Sequence, residues 1–141
     1  MTHISEFITL AEYRCSCCGQ LPPDLFLHDI RNPYRDFFDT FDSIRDVWGK
    51  AIPISSGYRC KQHNHDIGGS PMSVHLFGLA LDMDFADDDE TERAHEQIIR
   101  DFPGLRVGKY IDTGDFIHID MGYEIHPRAS HFWQKGARWV K

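Results

Sequence analysis

The chain has 141 residues, of which 41% are hydrophobic and 26% are charged, and its formal net charge is −7. This composition excludes a disordered or fibrous protein, and an acidic chain without a clustered basic face is not typical of proteins that bind nucleic acid. The length fits a single domain, residues 1–141, and we expect a monomer. The sequence has no long apolar run, and "MTHISEFITLAEYR" lacks the pattern of a secretory signal. We therefore expect cytoplasmic synthesis and no membrane insertion.

Four cysteines lie at positions 15, 17, 18 and 60, which is too few and too clustered a set for a disulfide scaffold. Cys15 and Cys18 have the CxxC spacing of a structural zinc site. Such a site needs two further ligands, however, and only Cys60 remains among the suitably placed cysteines. We therefore favour buried thiols or a bridge that involves Cys60.

The first half of the chain predicts one long helix, followed by a short strand and a helical turn. In "YRDFFDTFDSIRDVWG" apolar residues recur at helical spacing until Gly49 supplies a stop. The stretch "IPISSGY" predicts a short strand, and "RCKQHNHDIGGSP" predicts a helical turn that leads into a Gly-rich loop. His63 and His65 in that turn point in different directions on a helix, so we do not expect them to bind one metal.

The second half predicts three strands and a helix. "LALDMDF" alternates with a period of two, so Ala80, Asp82 and Asp84 share one face of a strand. "DDDETERAHEQIIRDFPG" begins with acids suited to a helix N-terminus and ends at Pro-Gly. "LRVGKY" and "DFIHIDM" predict a hairpin. The sequence therefore predicts an α+β fold, with helices packed against a small, mostly antiparallel sheet.

Asp82 lies within a core segment, where an ionised carboxylate needs a partner. Two histidines can reach it: His75, across a tight turn at Gly78, and His118, on the strand "FIHIDM". Two histidines and one aspartate form a three-ligand zinc site with an open fourth position, as catalytic zinc prefers. Alternatively, the three side chains only form hydrogen bonds with one another in a domain without metal.

Several motifs in order carry a family resemblance. "SVHLFGLALDMD" fits the pattern SxHxxGxAxD, and "SGYRCKQHN", "IGGSPMS" and "FIHID" fit the segments on either side. From about Phe7 to about Met121 the chain resembles the zinc D-Ala-D-Ala carboxypeptidase and L-alanyl-D-glutamate peptidase family. These peptidoglycan metallopeptidases share a fold with the Hedgehog signalling domain.

The resemblance implies that His75, Asp82 and His118 bind Zn²⁺. It also implies that Arg59 holds a substrate carboxylate or the developing oxyanion. Ser73 would orient the metal loop or contact substrate, and a plain turn hydroxyl is an equal alternative.

The family often places its general base three residues before the last histidine, which here is Asp115, where many relatives carry Glu or His. Aspartate is one methylene shorter than glutamate, and an exposed turn aspartate is the alternative for this position. Asp120 and Asp84 are candidates to accept hydrogen bonds from the ligand histidines.

The resemblance therefore implies a zinc peptidase that hydrolyses an amide bond in the peptide stem of bacterial peptidoglycan, as a D,D-carboxypeptidase or an endopeptidase. The small size is similar to that of phage-type members, whose site of action is the cell wall. A non-catalytic zinc-binding or virion module on the same scaffold is the alternative function.

Overall fold

A computed structural model describes residues 2–23, 33–112 and 114–141. The α-helices are α1 (Leu10–Tyr13), α2 (Pro33–Trp48), α3 (Lys61–Asp66) and α4 (Asp88–Asp101), and short 3₁₀ helices span Val74–Phe77, Gly122–Glu124 and Ala129–His131. The strands are β1 (Ile54–Ser56), β2 (Ala80–Asp84), β3 (Arg106–Tyr110), β4 (Phe116–Asp120) and β5 (Arg138–Val140).

The five strands form one sheet in the order β1-β2-β4-β3-β5. The pairs β1–β2, β2–β4 and β3–β4 are antiparallel, whereas β5 adds to β3 in parallel. The predicted α+β class and the predicted β3–β4 hairpin are confirmed. The parallel edge strand β5 is an addition that the sequence did not predict.

The alternating register of the central strands gives the sheet two different faces. One face is apolar and contributes to the buried core, with Leu81 and Met83 on β2 next to Ile117 and Ile119 on β4. The opposite face carries polar residues, because Asp82 pairs directly with His118 and Ala80 pairs with Asp120. Asp82, His118 and Asp120 therefore lie together on one side of the sheet.

The two long helices follow from apolar spacing and from their N-terminal residues. In α2, Phe37, Phe41 and Ile44 recur at helical spacing and are buried, and Pro33 occupies the first position, where a missing N–H costs nothing. In α4, the Asp87 side chain accepts a hydrogen bond from the Glu90 N–H. This contact satisfies one of the free backbone donors at the start of that helix. No helix in the described ranges is long and apolar enough to cross a membrane.

The N-terminal segment supports the turn that precedes β2. Gly78 has φ 78°, a left-handed conformation that favours glycine, and a Cβ there would lie 2.5 Å from the Tyr13 hydroxyl. That hydroxyl donates a hydrogen bond of 2.7 Å to the Gly78 carbonyl. Tyr13, at the end of α1, therefore holds the predicted tight turn at Gly78 in place.

Candidate metal centre

Three ligating side chains converge on the polar face of the sheet. His75 lies on the 3₁₀ helix before β2, Asp82 on β2 and His118 opposite it on β4. One ligand atom from each lies within 4.8 Å of the other two. The structure thus brings together the three residues for which the sequence predicts a metal site.

The orientation of the His75 ring is fixed by a backbone carbonyl. His75 Nδ1 lies 2.7 Å from the Gly57 oxygen, and because a carbonyl only accepts, Nδ1 carries the proton and donates. Burial lowers the pKa of His75 against the opposing effect of Asp82, so the ring is neutral at pH 7. Its Nε2 lone pair therefore faces Asp82 Oδ1, 3.3 Å away.

The His118 ring is held by a second carboxylate. Its Nε2 lies 2.6 Å from Asp120 Oδ2, and its Nδ1 lies 3.0 Å from Asp82 Oδ1. Asp120 also accepts hydrogen bonds from Arg106 Nε and from the Gly122 N–H. Burial lowers the pKa of His118, but the hydrogen bonds to Asp120 and Asp82 outweigh it and raise that pKa to about 9.

The donor atoms of this cluster are suited to a metal cation. Burial raises the pKa of Asp82, but the interactions with the two histidines, that of His118 first, outweigh it and hold the pKa well below its usual range. A protonated His118 can donate to this carboxylate, whereas neutral His75 offers it only a lone pair at 3.3 Å. Hydrogen bonding among the three residues therefore does not account for the His75 contact. Two imidazole nitrogens and a carboxylate are ligands that zinc takes in open sites, so the residues fit this metal.

The cluster borders a cavity of about 580 Å³. Arg59 and Ser73 also line it, and Arg59 Nη2 donates a hydrogen bond of 3.0 Å to Ser73 Oγ. Arg59 Nε is buried and has no hydrogen-bond partner among the described residues. Burial lowers the pKa of Arg59 although Asp82 opposes this, and the guanidinium remains charged. A cation with an unused donor thus stands beside the three ligands.

Comparison with known families decides the identity of the chain. A family model described as Peptidase M15 matches residues 23–120. The chain belongs to the M15 peptidase family. Its members are zinc metallopeptidases, and the family resemblance predicted from the motifs is confirmed. A search of curated proteins found no match.

The cavity of this M15 peptidase is also lined by residues that were not predicted from the sequence, among them Arg106, Tyr110 and Trp139. On β3, Arg106, Gly108 and Tyr110 pair with the site-facing residues of β4, and the alternation in "RVGKY" could have revealed this face. Trp139 lies on β5, and its indole N–H donates 2.8 Å to the Tyr110 hydroxyl. A Cβ on Gly108 would lie 2.2 Å from that indole nitrogen, so glycine makes room for the ring. No sequence signal links Trp139 to the site.

Asp115 and Asp84 do not line the cavity that the ligand histidines border. Asp115 precedes β4 and is not among the residues that line the cavity. The interaction with the neighbouring Asp88 carboxyl raises the pKa of Asp115, and Asp115 Oδ1 is buried with no hydrogen-bond partner in the described part of the chain. Asp84 accepts a hydrogen bond of 3.0 Å from Ser55. Its role beside a ligand histidine and the role of Asp115 as base stay predictions.

A second cluster lies outside this centre. The thiols of Cys15, Cys18 and Cys60 lie within 4.8 Å of one another, and all four cysteines are free. Cys15 is buried and Cys60 half-buried, whereas Cys17 and Cys18 are exposed. Burial raises the pKa of the Cys15 thiol, but backbone N–H groups of Cys60, Cys18 and Cys17 outweigh it and lower that pKa to about 7.

Proposed function

We propose that this M15 peptidase uses zinc to hydrolyse an amide bond in the peptide stem of bacterial peptidoglycan. The observation that supports this best is the convergence of His75 Nε2 and His118 Nδ1 on Asp82 Oδ1. His75, Asp82 and His118 would hold the metal and leave a fourth position open to solvent and substrate. The proposal puts the site of action at the cell wall, where the substrate is.

Zinc, when bound, polarises a substrate carbonyl and lowers the pKa of water from 15.7 to about 7. The protein orients both histidine ligands. The Gly57 carbonyl and the Asp120 carboxylate would each accept the proton of one ring, and His118 would give up its Nδ1 proton so that both remaining ring nitrogens can bind the metal.

Arg59 is proposed to bind the negative charge of the substrate. Ser73 Oγ takes up only one of its donors, and its Nε has no partner among the described residues. A stem peptide carries carboxylates, and its scissile carbonyl becomes an oxyanion during hydrolysis, so a guanidinium at this place can serve either charge. Ser73 also accepts a hydrogen bond from the His75 N–H, so it links the guanidinium to a metal ligand.

Asp115 is proposed as the general base. It would take a proton from the attacking water and give it to the leaving amine. Its raised pKa, caused by Asp88, moves it toward the range in which a carboxylate exchanges protons near neutral pH. Because Asp115 does not line the cavity, this role requires its carboxylate to lie closer to the substrate than it does in the structure.

The same placement supports a second candidate function. If Asp115 stays beside Asp88, the centre has its zinc ligands and Arg59 but no carboxylate that can take the proton of the attacking water. The chain would then be a zinc-containing binding module on a peptidase scaffold. Such a module would retain both zinc and peptidoglycan while releasing no product.

Digestion of purified peptidoglycan, with mass analysis of the products, tests the proposal. We expect zinc-loaded protein to release D-alanine or shorter stem fragments, and the masses identify the bond. A chelator should stop the reaction and added zinc should restore it. Asp82→Ala is the matched inactive control. Zinc-loaded, folded protein that leaves the peptidoglycan unchanged would reject the enzymatic proposal in favour of the binding module.

A further inference from the structure

Three cysteine sulfurs from distant parts of the chain meet on the side of the domain where the N-terminal segment joins α3. Cys15 and Cys18 lie in the turn after α1, and Cys60 immediately precedes α3. Their sulfurs lie within 4.8 Å of one another. Three thiols this close can form at most one disulfide, which would leave the third without a partner. A metal ion uses all three.

Backbone N–H groups point at these sulfurs. The Cys60 N–H lies 3.5 Å from Cys15 Sγ, and the His63 N–H lies 3.4 Å from Cys60 Sγ. The turn itself closes through the Gly19 N–H, which donates 2.8 Å to the Cys15 carbonyl, and Gly19 has φ 70°. Hydrogen bonds from amides favour the charged thiolate, which is the form that binds metal.

His63 lies next to the cysteine turn, although its ring nitrogens are outside the group of three thiols and would have to come closer to share a metal with them. It follows Cys60 by the same spacing that separates Cys15 from Cys18. Its ring Nε2 lies 3.2 Å from the hydroxyl of Ser16, a residue inside the Cys15–Cys18 turn. His65, in contrast, is exposed and lies next to Asp66. The two histidines thus have different surroundings, as expected from their spacing. His63 is therefore available to bind a metal together with the cysteines, without His65.

We propose that Cys15, Cys18, Cys60 and His63 bind a structural Zn²⁺ ion, separate from the His75–Asp82–His118 centre. Three thiolates and one imidazole are a ligand set of closed, four-coordinate structural zinc sites. Cys15 and Cys18 precede residue 23, where the match to the Peptidase M15 family begins.

The site ties the N-terminal segment to the part of the chain that carries Arg59. Arg59 is next to Cys60, and its backbone N–H donates 3.1 Å to the carbonyl of the metal ligand His75. The neighbouring Tyr58 N–H donates 2.8 Å to the Tyr13 carbonyl, just before the cysteine turn. A metal at the cysteines would therefore hold the Arg59 segment in place without contacting substrate.

Zinc content per chain tests the site, measured on protein purified with a reductant and without chelator. We expect the native protein to hold two zinc ions, and Asp82→Ala, Cys18→Ser or Cys60→Ser each to hold one. Cys17→Ser is the matched control in the same turn, because Cys17 is exposed and lies outside the cluster, and it should keep both ions. Loss of all zinc in Asp82→Ala would overturn the cysteine site while leaving the proposed peptidase centre intact.

Cobalt substitution supplies a readout that does not depend on a variant folding. Co²⁺ in the native protein should give the near-ultraviolet absorption of thiolate-to-cobalt charge transfer, and its absence would overturn the proposal. The absorption should persist in Asp82→Ala and disappear in Cys60→Ser. His63→Ala should shift the visible cobalt bands, and an unchanged spectrum would overturn the assignment of His63 as the fourth ligand.

Discussion

His118 Nε2 lies 2.6 Å from Asp120 Oδ2, and the two residues are neighbours on one face of β4. The other oxygen of Asp120 accepts hydrogen bonds from Arg106 Nε at 2.8 Å and from the Gly122 N–H at 2.9 Å. Asp120 is thus fixed independently of the histidine. It leaves Nδ1 as the nitrogen that His118 turns toward Asp82.

Asp120→Asn should weaken zinc binding at the His75–Asp82–His118 centre by about 10- to 100-fold, because the ring of His118 loses a charged acceptor. Competition with a chromophoric chelator measures the affinity, and circular dichroism verifies the fold. Asp89→Asn is the matched control, since Asp89 forms an exposed ion pair with Arg93. Equal affinities in the two variants would contradict the role of Asp120.

Arg59→Lys should lower kcat/KM on peptidoglycan fragments by about 100-fold and leave zinc content unchanged. Lysine keeps the positive charge, but its donors sit on a single nitrogen and lack the spread, planar geometry with which the guanidinium can hold Ser73 and reach substrate together. Arg100→Lys serves as the control, because Arg100 forms an exposed ion pair with Asp101. Loss of zinc together with activity would mean that Arg59 only supports the fold of the site.

Asp115→Asn should abolish hydrolysis with zinc retained, because an amide cannot take the proton of the attacking water. Asp88→Asn removes the group that raises the pKa of Asp115, so that pKa should fall. A base works only when deprotonated, and the acidic limb of the kcat/KM profile should therefore move to lower pH. Full activity in Asp115→Asn would remove Asp115 from the mechanism.

Gly78→Ala should lower the free energy of unfolding by about 1–3 kcal/mol, the cost of a left-handed backbone at a residue with Cβ. The added carbon would also lie 2.4 Å from Pro22 and 2.5 Å from the Tyr13 hydroxyl. Urea denaturation measures the change. Gly104→Ala has open space around it and should change stability by less than about 0.5 kcal/mol. Similar losses in both variants would argue against a special turn at Gly78.

Period-two alternation was enough to predict much of the fold and the composition of the polar sheet face. "LALDMDF" and "DFIHIDM" each alternate, so Asp82 and His118 had to lie on the polar faces of their strands. The structure pairs them directly across β2 and β4. Local patterns suffice for this prediction because neighbouring strands that bury their apolar faces in one core also share the opposite, polar face.

Contacts between segments that are distant in sequence could not be predicted from local sequence patterns. β5 is three residues long, and its parallel pairing with β3 depends on the path of the chain after β4. The approach of Cys60 to Cys15 likewise depends on the packing of the N-terminal segment against β1, which CxxC spacing does not contain. Asp115 shows a third limit, because its carboxyl meets Asp88 at the start of α4, a helix whose position spacing cannot give.

Anomalous scattering at the zinc edge, measured on a crystal of the native protein grown with zinc, tests the peptidase centre most directly. We expect a zinc peak about 2.0–2.2 Å from His75 Nε2, His118 Nδ1 and an Asp82 oxygen. A map with zinc elsewhere and none at these three atoms, or with His118 bound through Nε2, would contradict this expectation.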